Sequence, residues 1–190
     1  MDLNELRDRA YKTACEHGWH EEEHSDEHFL CLVISELMEA VEADRKGKHS
    51  DVAKFKEWQW NSIPLTEETR LRRFKEDFEA YIKGTVEEEL ADACIRLFDL
   101  AGIRNIDLSD TNEIADELVS LKSDLKLTEV CFGFTSALTI DGESLGRRIC
   151  GTLAGLIKYC QFSDIDLMWH IEQKMCYNEL RDYKHGNKKY

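Results

Sequence analysis

The sequence predicts an all-α fold, a bundle of amphipathic helices, on three observations. Apolar residues recur at intervals of three and four along most of the chain, not at every second position. Only one proline and ten glycines interrupt 190 residues, which leaves long helical periods unbroken. Hydrophobic residues make up 42% of the chain, enough to bury a core and too many for a disordered acidic tail.

The helices are justified in order. The first spans about 2–17. A His-rich turn, GWHEEEHSDEH, follows, and Ser25 or Asp26 caps the long amphipathic helix HFLCLVISELMEAVEADR, which stops near Gly47. Residues 48–65 carry FKEWQWNSIP with the single proline and are expected to be irregular. Thr66, with Glu67 and Glu68 in the first turn, opens a helix running to about Lys83. The break KGT ends it, and Thr85 with Glu88 supplies a T-x-x-E capping box for TVEEELADACIRLFDLAG. Further helices are expected near 110–122, 127–139 and 143–161, with TIDGES as a turn, and a closing helix from Ser163 to before Gly186. No internal repeat or low-complexity tract appears. The organisation expected is one domain over 1–190, with an inserted segment at about 48–83 and a helical elaboration at about 105–190.

The net charge of −14 argues against a non-specific nucleic-acid binder or an anionic-membrane binder, whose affinity comes from Lys and Arg meeting phosphates. A phosphate-bearing substrate stays possible if a divalent metal supplies positive charge. The seven cysteines are an odd number with no C-x-x-C pair, and most sit among apolar neighbours, which suits reduced, buried thiols in a cytosolic protein. The opening MDLNELRDRAYK has no signal-like apolar core, and no apolar run approaches ~18 residues. A soluble, cytoplasmic protein is expected.

Glu36 and Glu39 break the amphipathic pattern. On a helical wheel they lie about 60° apart, among Leu32, Ala43, Phe29, Ala40 and Val33, while Ser35, Glu42 and Arg45 mark the polar side. A carboxylate in an apolar face needs a partner. Glu36-x-x-Glu39 and Glu89-x-x-Asp92 each place two carboxylates side by side. Antiparallel packing of the two helices would converge all four, and like charges that close call for a cation between them. Hard oxygen donors favour Mg²⁺, with Mn²⁺ as a substitute. A ferritin-like di-iron site wants Glu-x-x-His on two helices, and neither pair supplies the histidine.

SELMEAVEADRKGK followed by EELADACIRLFDLAG resembles the MazG-like branch of the all-α NTP pyrophosphohydrolases, over roughly 26–48 and 84–104 and again at the C-terminus. The resemblance implies a helical bundle with its core completed across subunits, hence a homodimer or higher oligomer. It implies that Glu36, Glu39, Glu89 and Asp92 chelate Mg²⁺ and carry catalysis. The family often has a further glutamate where this chain has Ser35, and its link between the two pairs is shorter than residues 48–83 allow.

Lys174, Asn178 and Arg181 share one face of the closing helix, offering a point charge, an amide and a bidentate fork to phosphates. The resemblance implies a nucleotide-binding role for these three; a solvated basic tail is the alternative, and His185 and the terminal lysines fit that alternative better. Trp58 and Trp60 offer faces for stacking a base, or anchor the inserted segment. Arg96 is divided between salt bridge and substrate contact, Glu88 between capping-box partner and supporting carboxylate, and Asp99 reads as solvent face. His20, His24 and His28 lie four apart, a zinc spacing only if one helix runs through them. Arg45, Lys46 and Lys48 either meet phosphates or complement a helix C-terminus.

The expected function is Mg²⁺-dependent hydrolysis of a nucleoside triphosphate between the α and β phosphates, giving a monophosphate and pyrophosphate. The alternatives are a related enzyme for dUTP or phosphoribosyl-ATP, and a helical metal- and nucleotide-binding module without turnover.

Overall fold

The side chains of Asp2, Ser25, Thr66, Thr85, Ser144 and Asp166 each accept a backbone N–H two or three residues further on, and each starts a helix. The computed structural model describes residues 2–57, 66–117 and 125–184, and over them the chain is all-helical, with no strand. The helices are α1 (Leu3–Glu16), α2 (Asp26–Arg45), α3 (Val52–Glu57), α4 (Glu67–Tyr81), α5 (Val86–Ile103), α6 (Thr111–Glu117), α7 (Leu127–Thr139), α8 (Leu145–Phe162) and α9 (Leu167–Glu179).

α5 is the axis. Leu90, Ala91, Ala93, Cys94, Leu97, Leu100 and Ala101 on it are wholly inaccessible to solvent, so its apolar surface is covered nearly all round. It packs against α1, α2, α8 and α9. α2 and α5 run antiparallel. At one end Arg104, just past α5, meets Asp26 at the start of α2 at 2.7 Å, and at the other the Val86 amide donates to the Lys48 carbonyl at 3.1 Å. α7 packs on α2 and α8, and α6 on α8, so that α6 to α9 share one core with α1, α2 and α5.

The inserted segment has an apolar cluster of its own. Phe55, Phe78 and Ile82 are buried with Tyr177 of α9, whose ring stacks on Phe78 at 4.3 Å between centroids. Residues 52–57 were expected to be irregular and are helical instead, because Asp51 accepts the Lys54 amide at 3.0 Å and the turn buries Phe55. Trp58, Trp60 and Pro64 lie outside the described residues, as do 118–122 and His185.

α9 differs from expectation at both ends. Ser163 closes α8 and Asp166 caps α9, whose helix ends at Glu179. Arg181 therefore follows the helix instead of riding on it. Among the described residues no helix is long and apolar enough to cross a membrane.

Leu97→Ala removes a side chain with no exposed surface from the central helix. The expected loss is about 2–5 kcal/mol, read as a lower urea midpoint at unchanged slope.

Candidate metal centre

Thr85 sets where α5 starts. Its Oγ1 donates to the Ile82 carbonyl at 2.7 Å and accepts from the Glu88 amide at 3.4 Å. The Glu88 carboxylate reaches back to the Gly84 amide at 2.8 Å, one residue ahead of the Thr85 position that a standard capping box would use. Gly84 makes this turn at a φ of +71°, which a residue with a side chain adopts only under strain. Glu88 and Glu89 are thereby buried at the head of α5, with Asp92 one turn on.

Because α2 crosses antiparallel, Glu36 arrives beside them. Oxygens of Glu36, Glu89 and Asp92 lie within 4.8 Å of one another, a spacing that one small divalent cation can bridge. Glu36 and Glu89 are each only 7% exposed. Glu39, the fourth carboxylate of the expected set, is not part of this triad. It lies exposed at the edge, accepting from Ser35 Oγ at 3.5 Å, because it stands outside the face of α2 that Leu37 and Ala40 bury. It is still close enough for its charge to disfavour ionisation of Glu36 and Glu89.

Two cations already share the site. Lys174 of α9 is buried and pairs with both Glu88 and Asp92, the latter at 2.8 Å. Arg96 donates from Nε to Glu36 Oε1 at 3.1 Å. Lys174 was expected to face phosphates; its ammonium instead lies inside the bundle, because four carboxylates away from water attract it more strongly than solvent does. Glu36, Glu88, Glu89 and Asp92 carry four negative charges when ionised against the two positive charges of Lys174 and Arg96, an excess of two.

The protonation behaviour follows that excess. Burial, then the Asp92 charge, pushes Glu36 up to about 7. Burial, then the charges of Glu88 and Asp92, pushes Glu89 up to about 9. Burial raises Asp92 as well, but Lys174, Arg96 and Arg181 together outweigh it and leave this carboxyl below its ordinary value. Without a further cation Glu89 thus holds a proton at neutrality and Glu36 is about half protonated, and a divalent ion would displace these protons. The donor set, all carboxylate oxygen, fits Mg²⁺ or Mn²⁺.

Beside the triad opens a cleft between α1, α5 and the residues closing α9. Asp92 and Arg96 form its floor, and Asn178 and Arg181 its far wall. The structure thus gathers three of the expected substrate contacts, Arg96, Asn178 and Arg181, around one metal-binding candidate. The Asn178 Oδ1 is buried and, among the described residues, has no hydrogen-bond partner.

Other expectations fared differently. Asp99 is half-buried and pairs with His20 Nε2 at 2.8 Å, so it does not lie on a solvated face. α2 begins at Asp26, inside the histidine run, which breaks the zinc register; His24 and His28 stack on each other at 4.2 Å. His17 and Trp19 also line the cleft, and the sequence reading had passed over both. The Gly18 between them, at a φ of +78°, was the visible signal of a tight turn that could bring them inward. Comparison of the chain with models of known families, with curated proteins and with solved structures found no match.

Removing the internal ammonium in Lys174→Met leaves Glu88 and Asp92 uncompensated, with an expected loss of about 3–5 kcal/mol. The double variant Lys174→Met with Glu88→Gln is expected to recover part of it, read from urea unfolding of all three proteins. A pH dependence follows too. The folded state holds protons on Glu36 and Glu89 that the unfolded chain releases above about 4.5. In chelator, stability therefore falls as pH rises from about 5 to about 9, and Mg²⁺ restores it most at the alkaline end. Calorimetric melting at several pH values, with and without Mg²⁺, checks both signs.

Proposed function

We propose that this chain is a Mg²⁺-dependent nucleoside triphosphate pyrophosphohydrolase of the MazG-like kind, cleaving between the α and β phosphates. One observation carries the reading: Glu36, Glu89 and Asp92 converge within 4.8 Å, and Asp92 also lines a cleft that Arg96, Asn178 and Arg181 share. The two E-x-x-E/D pairs and their order along the chain support it independently.

In this reading Glu36, Glu89 and Asp92 hold the cation. When bound, Mg²⁺ offsets charge on the triphosphate and polarises the attacking water. Arg181 and Arg96 present guanidinium groups to the phosphates, and their planar forks suit bidentate contact with phosphate oxygens. Asn178 offers an amide to the sugar or base. Lys174 acts at one remove: by pairing with Asp92 and Glu88 it keeps Asp92 ionised and fixed in place. Glu39, outside the triad yet electrostatically coupled to it, is the carboxylate left to accept the proton of the water. The protein works as a homodimer or higher oligomer in the cytoplasm, with neither nucleic acid nor membrane as partner.

A second reading rests on the Lys174 pair. An ammonium already lodged between Asp92 and Glu88 is also what a metal- and nucleotide-binding module without turnover would carry.

The experiment incubates purified protein with Mg²⁺ and a panel of canonical and modified NTPs, dUTP and phosphoribosyl-ATP among them. Pyrophosphate with the monophosphate is the expected product, and Glu36→Gln and Asp92→Asn should each lower kcat by at least ~100-fold with the fold intact. Orthophosphate as the only primary product, or full activity in both variants, would overturn the reading. A rise in melting temperature with Mg²⁺ and nucleotide but without product favours the binding module.

A further inference from the structure

Helix α9 ends at Glu179, and its last backbone bond comes from the Arg181 amide, which donates to the Asn178 carbonyl at 3.1 Å; beyond that the segment needs other anchors. A guanidinium on an unanchored segment would lose much freedom on meeting a ligand, and that loss weakens binding. The segment 181–184 is not free. It lies against the end of α1, held at several points. His17 bridges two carbonyls: its Nδ1 lies 2.8 Å from the Thr13 oxygen and its Nε2 3.0 Å from the Arg181 oxygen. The Lys184 amide donates to the His17 carbonyl at 3.1 Å. Lys184 Nζ pairs with Glu21 at 2.9 Å, and Tyr183 donates its hydroxyl to the same carboxylate.

Gly18 completes the fit. It sits at a φ of +78° under the Tyr183 ring, and a Cβ there would collide with that ring. On its other side the same segment sends Arg181 into the cleft shared with Asp92 and Arg96.

We propose that His17, Gly18 and Glu21 form a clasp that seats Arg181 in the cleft, which makes His17 a positioning residue for binding an anionic ligand. That the ligand is a nucleoside triphosphate rests on the proposed function; the clasp does not. His17 suits the task because its small rigid ring carries a nitrogen on each side without a flexible stem; a neutral imidazole donates to one of the two carbonyls and an imidazolium to both. The ordering of Arg181 is then complete before any ligand arrives, which shows in affinity more than in the chemical step.

A double-mutant cycle tests this. His17→Phe and Arg181→Ala should each raise KM for the Mg²⁺–NTP about tenfold with kcat within about twofold, and the double variant should be no worse than Arg181→Ala alone. Glu21→Gln, at an exposed position where the fold is not at risk, should raise KM by about two- to threefold. Additive effects in the cycle, or an unchanged KM in His17→Phe, would overturn the proposal. Hydrogen exchange reads the clasp without activity: the Lys184 amide should exchange roughly tenfold faster in His17→Phe and faster in Glu21→Gln. Unchanged exchange in both sinks the clasp whatever the kinetics. If wild-type protein releases no pyrophosphate from any NTP, the proposed function falls. The same cycle is then read as the affinity for inorganic triphosphate with Mg²⁺, and additivity there overturns the clasp.

Discussion

Four carboxylates crowded together in a helical bundle, three of them buried, are the constraint on which the rest of this structure depends. Glu36 on α2 and Glu88, Glu89 and Asp92 on α5 would repel one another and their surroundings if left uncompensated. The fold answers with position as well as charge. α9 must lie where Lys174 can reach Glu88 and Asp92, and α2 must run antiparallel so that Glu36 meets Arg96. The Gly84 turn, the Thr85 cap and the inward Glu88 serve the same end, since together they fix the rotation of α5 about its axis. Apolar burial around Leu97 and Phe98 then supplies the stability that such a cluster consumes.

Much of this was legible in the chain. The capping residues Ser25, Thr66 and Thr85 mark helix starts by a local mechanism, so those boundaries need no tertiary knowledge. Glu36 was legible because a lone carboxylate among Val33, Leu37 and Ala40 contradicts the period around it. Glu39 was misplaced because a wheel assigns an angle, not a depth; at the edge of a face only the neighbouring helices decide whether a side chain is covered. Asp99 fell to the same ambiguity in the other direction, since His20, almost eighty residues earlier in the chain, closes over it. Lys174 was read as a phosphate ligand because its spacing to Asn178 and Arg181 is local information, whereas its pairing with Glu88 and Asp92 is set by how α9 docks on α5.

The far wall of the cleft was the least legible part. His17 and Trp19 line it from a loop, and a loop carries no period from which to read a facing. Arg181 lies there although its helix has ended, which follows from contacts between the two ends of the chain that no short stretch of sequence encodes. Sequence patterning thus reported what the helices do to themselves, and the structure adds what they do to each other. The carboxylate pairs belong to the first kind of information, and their convergence and the cleft to the second.

The central claim is that a divalent cation occupies the space among Glu36, Glu89 and Asp92. Crystals soaked in Mn²⁺ test it most directly, because the anomalous signal of the ion locates it without reference to any assumed chemistry. The account predicts one strong peak within coordination distance of oxygens from all three carboxylates, with Lys174 still paired to Glu88. No peak there at saturating Mn²⁺, with Glu36 and Glu89 unmoved and sites found only elsewhere on the surface, would contradict it.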